Sequence, residues 1–126
     1  MRSYDKEFIS VAEDLVKKST MHYKLAAVIT NKKRIVSVGI NRFLGLNSYI
    51  GMSDKWSIHA ECDALRRAIA WIHDNPTASL TMYVARKNKK LAKPCPNCLK
   101  LITPYIDRIV YTDGGKIVEE FTTVEE

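Results

Sequence analysis

The order in which two periodicities succeed one another constrains this chain most. Phe8, Val11, Ala12, Leu15 and Val16 recur at helical spacing and predict a first helix from about Tyr4 to Ser19, with Ser3 as its N-cap and Asp5 and Glu7 in its first turn. Two β-rich runs follow, Leu25 to Thr30 and Ile35 to Asn41, joined by the polar turn Asn31-Lys32-Lys33 in the manner of a hairpin. Ser57 is read as the cap of a second helix whose buried stripe is Glu61, Ala64, Leu65, Ala68, Ile69 and Ile72, ending at the breaker Asp74-Asn75-Pro76. Glu61 is the one acid in that stripe. Leu80 to Ala85 and Arg108 to Tyr111 read as strands on either side of a third helix, Pro96 to Tyr105, whose first turn accepts proline, and Ile117 to Phe121 adds a fifth strand. Strands separated by helices call for apolar cover on both faces of the sheet. The expected fold is therefore α/β, a three-layer α/β/α sandwich with a mixed five-stranded sheet.

A chain of 126 residues is near the commonest size for one domain, and 46% hydrophobic and 27% charged residues with only 5 Gly and 4 Pro describe an ordinary globular protein. Residues 1–126 are expected to form a single domain with one core. The N-terminus Met1-Arg2-Ser3-Tyr4-Asp5-Lys6-Glu7 has acids where a signal peptide needs an apolar run, and no stretch reaches the length of a membrane span, so the expected location is the cytoplasm. Three cysteines, two of them as Cys95-Pro96-Asn97-Cys98, fit a reducing compartment with a metal or redox site better than a disulfide framework. A formal net charge of +6 favours an acidic partner such as a nucleotide phosphate or a nucleic-acid backbone, although solubility alone accounts for it equally well.

Pro94-Cys95-Pro96-Asn97-Cys98 sets two thiols three residues apart at the start of a helix, facing the same way, where the helix dipole favours the thiolate that binds zinc. Taken alone, the pair equally fits a thioredoxin-like redox motif. The second half of the pattern is His59-Ala60-Glu61 in the first turn of the second helix. There His59 can supply a nitrogen ligand, and Glu61 is held close without coordinating. Three protein ligands leave zinc one position for water, whose pKa it lowers to about 7, and a neighbouring carboxylate is the general base and acid for such a water.

His-x-Glu followed by Pro-Cys-x-x-Cys, each opening a helix in this order of elements, resembles the zinc-dependent cytidine and deoxycytidylate deaminase superfamily over nearly the whole chain. Pro94-Cys95-Pro96-Asn97-Cys98-Leu99-Lys100-Leu101-Ile102 is most similar to its deoxycytidylate branch. The resemblance implies a cytidine deaminase-like fold and one zinc ion per chain on His59, Cys95 and Cys98, with Glu61 as the proton shuttle. Val38-Gly39-Ile40-Asn41 resembles the family's Gly-x-Asn strand end, which implies that Asn41 contacts the substrate near its sugar and that the backbone N–H of Ala60 meets the pyrimidine carbonyl. The implied reaction is hydrolytic deamination of a cytosine nucleotide or nucleoside, with dCMP to dUMP the first expectation and ammonia the leaving group. A homo-oligomer is expected by the same resemblance.

The chain departs from the deoxycytidylate branch in one respect. The loop from Arg42 to Lys55 has no Cys or His, which argues against a second zinc. Its Arg42, Phe43, Tyr49 and Lys55, with Trp56, are a mixture that either clamps a nucleotide or exposed strand or packs on the domain. Arg86, Lys87, Lys89, Lys90 and Lys93 form a basic lip before the Cys-x-x-Cys helix, or are merely solvated. Cys62 is read as a buried structural thiol, and His22 and His73 as structural because neither has a spaced partner. Two other classes stay open: a deaminase of cytosine or adenine in single-stranded DNA or tRNA, and a zinc-stabilised binding module. Asn97 weighs against tRNA editing and Glu61 against a closed structural zinc.

Overall fold

A computed structural model describes residues 2–19, 24–43, 57–94 and 96–122. Its elements are α1 (Asp5–Val16), β1 (Leu25–Asn31), β2 (Arg34–Ile40), β3 (Arg42–Phe43), β4 (Ser57–Ile58), α2 (Ala60–Asp74), β5 (Thr81–Arg86), α3 (Pro96–Ile102), β6 (Arg108–Asp113) and β7 (Lys116–Phe121). The five-stranded sheet runs β2-β1-β5-β6-β7, with β3 and β4 pairing apart from it. Only β5 and β6 pair in parallel, and α3 lies in the connection between them; the other neighbours are antiparallel. This is the mixed sheet with helices on both faces expected from the order of elements.

Alternation along the central strands divides the core in two. Ala27 and Ile29 of β1, Met82 and Val84 of β5, and Ile109 and Tyr111 of β6 pack with Ala60, Ala64, Leu65 and Ala68 of α2 and Ile102 of α3. Ala26, Val28, Tyr83, Ala85 and Val110 face the other way, onto Phe8, Ile9, Ala12 and Val16 of α1. Each large apolar side chain so buried contributes about 1.5–3 kcal/mol. A register shift between Ile29 and Thr30 places Val36 against the α2 side while Val38 and Ile40 pack toward α1. The β6–β7 turn is Gly114-Gly115, with φ of 60° and 94°, the positive values that a two-residue hairpin loop requires.

The boundaries differ from the sequence expectation at places with a physical cause. Ser3 does not cap α1: the N-cap is Tyr4, with no side-chain bond, and the Asp5 carboxylate accepts the Arg2 N–H at 2.9 Å. α1 ends at Val16 because Ser19 is drawn to the sheet, its hydroxyl donating to the Asn41 carbonyl at 2.8 Å and to Asn41 Oδ1 at 2.6 Å. Ser57 does not cap α2 either; it lies in β4, and His59 is the N-cap. α3 is only seven residues long.

Asp5 is fully buried and belongs to the core instead of the helix surface. Arg108 grips it with two bonds, Nη1 to Oδ2 at 2.8 Å and Nη2 to Oδ1 at 2.7 Å, while Nη1 also donates to Glu119 at 2.6 Å and the Tyr83 hydroxyl donates to Asp5 at 2.5 Å. Burial alone would raise the Asp5 carboxyl, but the hydrogen bonds from Arg108 and Tyr83 outweigh it and hold the pKa at about 2. Arg108 is also buried, so the pair is compensated by a complete set of partners.

Candidate active site

Three chain segments meet at one end of the sheet. β1 begins at Leu25, opposite Arg86 at the end of β5, and β2 ends at Ile40, opposite Ala26. The first turn of α2 is pressed onto the end of β2: a Cβ on Gly39 would come within 2.5 Å of Ala60 O and 2.4 Å of Ala64 N, a space that only glycine leaves open. Ser37 donates to Ala64 O at 2.7 Å and adds to the clamp. Asn41 follows directly. Its Oδ1 accepts from Leu25 N at 2.8 Å and from Ser19 Oγ, so the carbonyl of this side chain is engaged with the protein.

The clamp aims the start of α2 at α3. His59, the exposed N-cap residue, directs Nδ1 to within 3.1 Å of Cys98 Sγ, which is buried in the first turn of α3. Glu61 is 4% exposed, and donor atoms of His59, Glu61 and Cys98 all lie within 4.8 Å of one another. Cys95 lies outside the described residues. Burial pushes the Glu61 carboxyl above its ordinary range, with its own backbone N–H, His59 and the Cys98 thiol offsetting part of the rise. Ala60 is buried, and as the first residue of α2 its N–H has no partner within the helix.

Nitrogen and sulfur are the donors that zinc favours. Tetrahedral zinc, with Zn–N about 2.1 Å and Zn–S about 2.3 Å, separates such a pair by about 3.6 Å. The 3.1 Å between His59 and Cys98 falls short by about half an ångström, so a slight parting of two side chains admits the ion. The donor set therefore fits zinc, with a buried carboxylate at its edge.

Asp63 and Cys62 are two residues whose part in this region the sequence reading missed. Asp63 is an acid as buried as the core, at 1% exposure; it accepts from Ile40 N at 3.3 Å, Arg42 at 3.1 Å, Arg66 at 3.1 Å and Arg67 at 3.3 Å. Burial opposes its ionisation, but the bonds from Arg66, the Ile40 N–H and Arg42 prevail and its pKa is lowered. It thus ties the end of β2 and the start of β3 to α2. The spacing Asp63, Arg66, Arg67 is a sequence signal for an ion pair, although for one on the helix surface. Glu61 is accordingly not the only acid buried along α2. Cys62, expected as a buried thiol, is partly exposed, with Sγ 4.0 Å from Cys98 Sγ.

The basic lip is less uniform than its sequence. Lys87 lines a groove with Glu13 and Asp14 of α1 and with Lys17, its C-cap, and Lys93 pairs with Glu120 at 3.4 Å, while Lys90 is exposed. Tyr49, Lys55 and Trp56 of the suggested clamp, and His22, lie outside the described residues; His73 is exposed in the last turn of α2. Among the described residues no helix is long and apolar enough to cross a membrane.

Residues 2–112 match the family described as the cytidine and deoxycytidylate deaminase zinc-binding region. No curated protein sequence matches the chain. Among solved structures, cytidine deaminase from Burkholderia pseudomallei superposes with a TM-score of 0.70 at 20% identity, over 97% of this chain and 94% of that one. The dCMP deaminase of cyanophage S-TIM5 in complex with dCMP and dUMP gives 0.63 at 21% identity, over 86% and 81%. Cytidine deaminase from Mycobacterium leprae gives 0.59 at 17% identity, over 94% of each chain. These structures share the fold. With the family match spanning both halves of the His-x-Glu and Cys-x-x-Cys pattern, and with those halves converging on a zinc-sized site, the chain belongs to the cytidine and deoxycytidylate deaminase family and is a zinc-dependent hydrolytic deaminase.

Proposed function

We propose that the chain, as a single domain, deaminates a free cytosine nucleotide, dCMP to dUMP, with release of ammonia. One observation carries the assignment of roles: His59, Glu61 and Cys98 converge although they come from two helices, and the carboxylate among them is buried. In this reading His59 and Cys98, together with Cys95, hold one zinc ion, which when bound supplies a water activated at neutral pH. Glu61 takes one proton from the attacking water, as its oxygen bonds to the ring carbon that bears the amino group, and gives it to the ring nitrogen. It then takes the remaining proton of that oxygen and gives it to the amino group, which leaves as ammonia as the carbon–nitrogen bond breaks and a carbonyl remains. Burial suits Glu61 to this task, because a carboxyl raised above its ordinary range gives up a proton less readily and so can both take and return one. The Ala60 N–H donates to the pyrimidine carbonyl and orients the ring. Asn41, held at the end of β2 by its bonds with Leu25 and Ser19, contacts the substrate near its sugar.

A nucleotide is favoured over a nucleoside by the positive balance of the chain and by the exposed Lys90 on the segment that leads into α3. The fold shared with a phage dCMP deaminase is consistent with this choice. We also propose a homo-oligomer, in which a second copy covers apolar surface such as Leu101 and Phe121, 58% and 65% exposed; light scattering reads the mass directly. The substrate is tested by ammonia release from cytosine, cytidine, deoxycytidine, dCMP, dCTP, adenosine and single-stranded DNA. The expected result is the highest kcat/KM for dCMP. A higher value for deoxycytidine removes the phosphate from recognition, and a higher value for the oligonucleotide makes the protein a polynucleotide deaminase.

A further inference from the structure

Cys62 directly follows Glu61 on α2, yet it does not join the cluster formed by His59, Glu61 and Cys98. Its sulfur instead reaches Cys98, donating to Cys98 Sγ at 4.0 Å. Successive residues on a helix are turned about 100° apart, so one turn of α2 brings Glu61 to the cluster and Cys62 to the Cys98 sulfur from a different direction. A cysteine that binds a metal is a thiolate, and a thiolate in a buried position is stabilised by a donor on the side away from the ion. Cys98 is 3% exposed, which leaves the solvent little part in supplying that donor.

We propose that Cys62 is a positioning residue for the metal site: its thiol donates to the Cys98 sulfur, holds it in place and thereby sets how tightly zinc is retained. The proposal rests on the reading of Cys98 as a zinc ligand. A cysteine at position 62 is then more than a small apolar filler, because alanine would pack there and remove this donor from the thiolate. Serine would restore the donor through a hydroxyl.

The test is the rate at which the zinc-loaded protein gives up its metal to a chelating indicator, measured for the wild type and for Cys62→Ala, Cys62→Ser and Cys98→Ser. Cys62→Ala is expected to release zinc about 10- to 100-fold faster, the usual effect of losing a partner of a metal ligand, and Cys62→Ser to stay near the wild-type rate. Release from Cys62→Ala at the wild-type rate overturns the proposal, as does a Cys62→Ser variant as fast as Cys62→Ala. If Cys98→Ser keeps a full complement of zinc, the ligand reading itself is wrong. If Cys98→Ser loses zinc while Cys62→Ala behaves as wild type, only the role of Cys62 falls. Should the alanine variant not fold, the cadmium-113 resonance of cadmium-substituted wild type and Cys62→Ser decides: a shift supports the contact, and coincident resonances overturn it.

Discussion

His59 Nδ1 and Cys98 Sγ lie 3.1 Å apart, although 39 residues separate them in the chain. A metal on this pair joins the start of α2 to the start of α3, so metal binding adds to folding stability. Cys98→Ser and Cys95→Ser are expected to abolish activity and bound zinc, and chelation of the wild type is expected to lower Tm. Elemental analysis of the purified protein is expected to give one zinc per chain; two per chain, or none in active enzyme, contradicts the proposed site.

Glu61→Gln is expected to keep zinc and fold while lowering kcat by about 100- to 10,000-fold, the range for removal of a general acid/base. The amide is isosteric and cannot exchange the proton. Metal content and circular dichroism measured beside turnover separate this outcome from collapse of the site. A near-normal rate would remove Glu61 from the proton path, and loss of zinc would make it a ligand or support.

Gly39→Ala tests the seat of α2. Its Cβ would meet backbone atoms of Ala60 and Ala64 at 2.5 and 2.4 Å, and backbone cannot rotate aside. The expected cost is about 3 kcal/mol or more, the upper range for overpacking, which lowers Tm by roughly 10 °C in a domain of this size. An unchanged melting curve would mean that the helix does not approach the strand so closely.

The Asp5 carboxyl is held at about 2 against an ordinary 3.8, so the unfolded chain takes up this proton more readily than the folded one. The resulting stability is complete above about pH 4 and is lost as the pH falls from 3.8 toward 2; the shift corresponds to about 2 kcal/mol. Asp5→Asn also leaves the buried Arg108 without its main partner, at a cost of about 3–5 kcal/mol near pH 7. Urea unfolding at pH 7 and near pH 2 should show the difference between variant and wild type shrinking in acid. An equal difference at both pH values refutes the assignment.

Salt distinguishes a mononucleotide from a polymer. Each phosphate of a single strand that the protein neutralises contributes a slope of about −0.7 to the plot of log affinity against log salt, so three or four contacts give a steep decline. One phosphate group gives a shallow one. For dCMP the KM is expected to rise modestly with salt, and Lys90→Ala to raise KM more than it lowers kcat. An oligonucleotide that is the better substrate at low salt and loses its advantage at high salt reverses the assignment.

The order of helices and strands, the two-faced sheet and the pairing of His59 and Glu61 with a Cys-x-x-Cys helix were legible in the sequence, because periodicity and motif spacing are local properties of the chain. The same local reading put Asp5 in the first turn of a helix, with no sign that it is buried, and left Asp63 out of the buried stripe. It treated Cys62 as a buried structural thiol and counted Lys93 in a basic lip that is either functional or merely solvated. Those assignments depended on contacts across the chain: Asp5 with Arg108, 103 residues on, Asp63 with the end of β2, Cys62 with Cys98 and Lys93 with Glu120. A charged or polar side chain is stable in the core only where its partner is already placed, and placement was decided by which strands became neighbours in the sheet. The sequence by itself thus determined the elements and the chemistry-bearing residue types; the tertiary structure decided which acids are buried, which thiols meet, and which side of α2 faces the site.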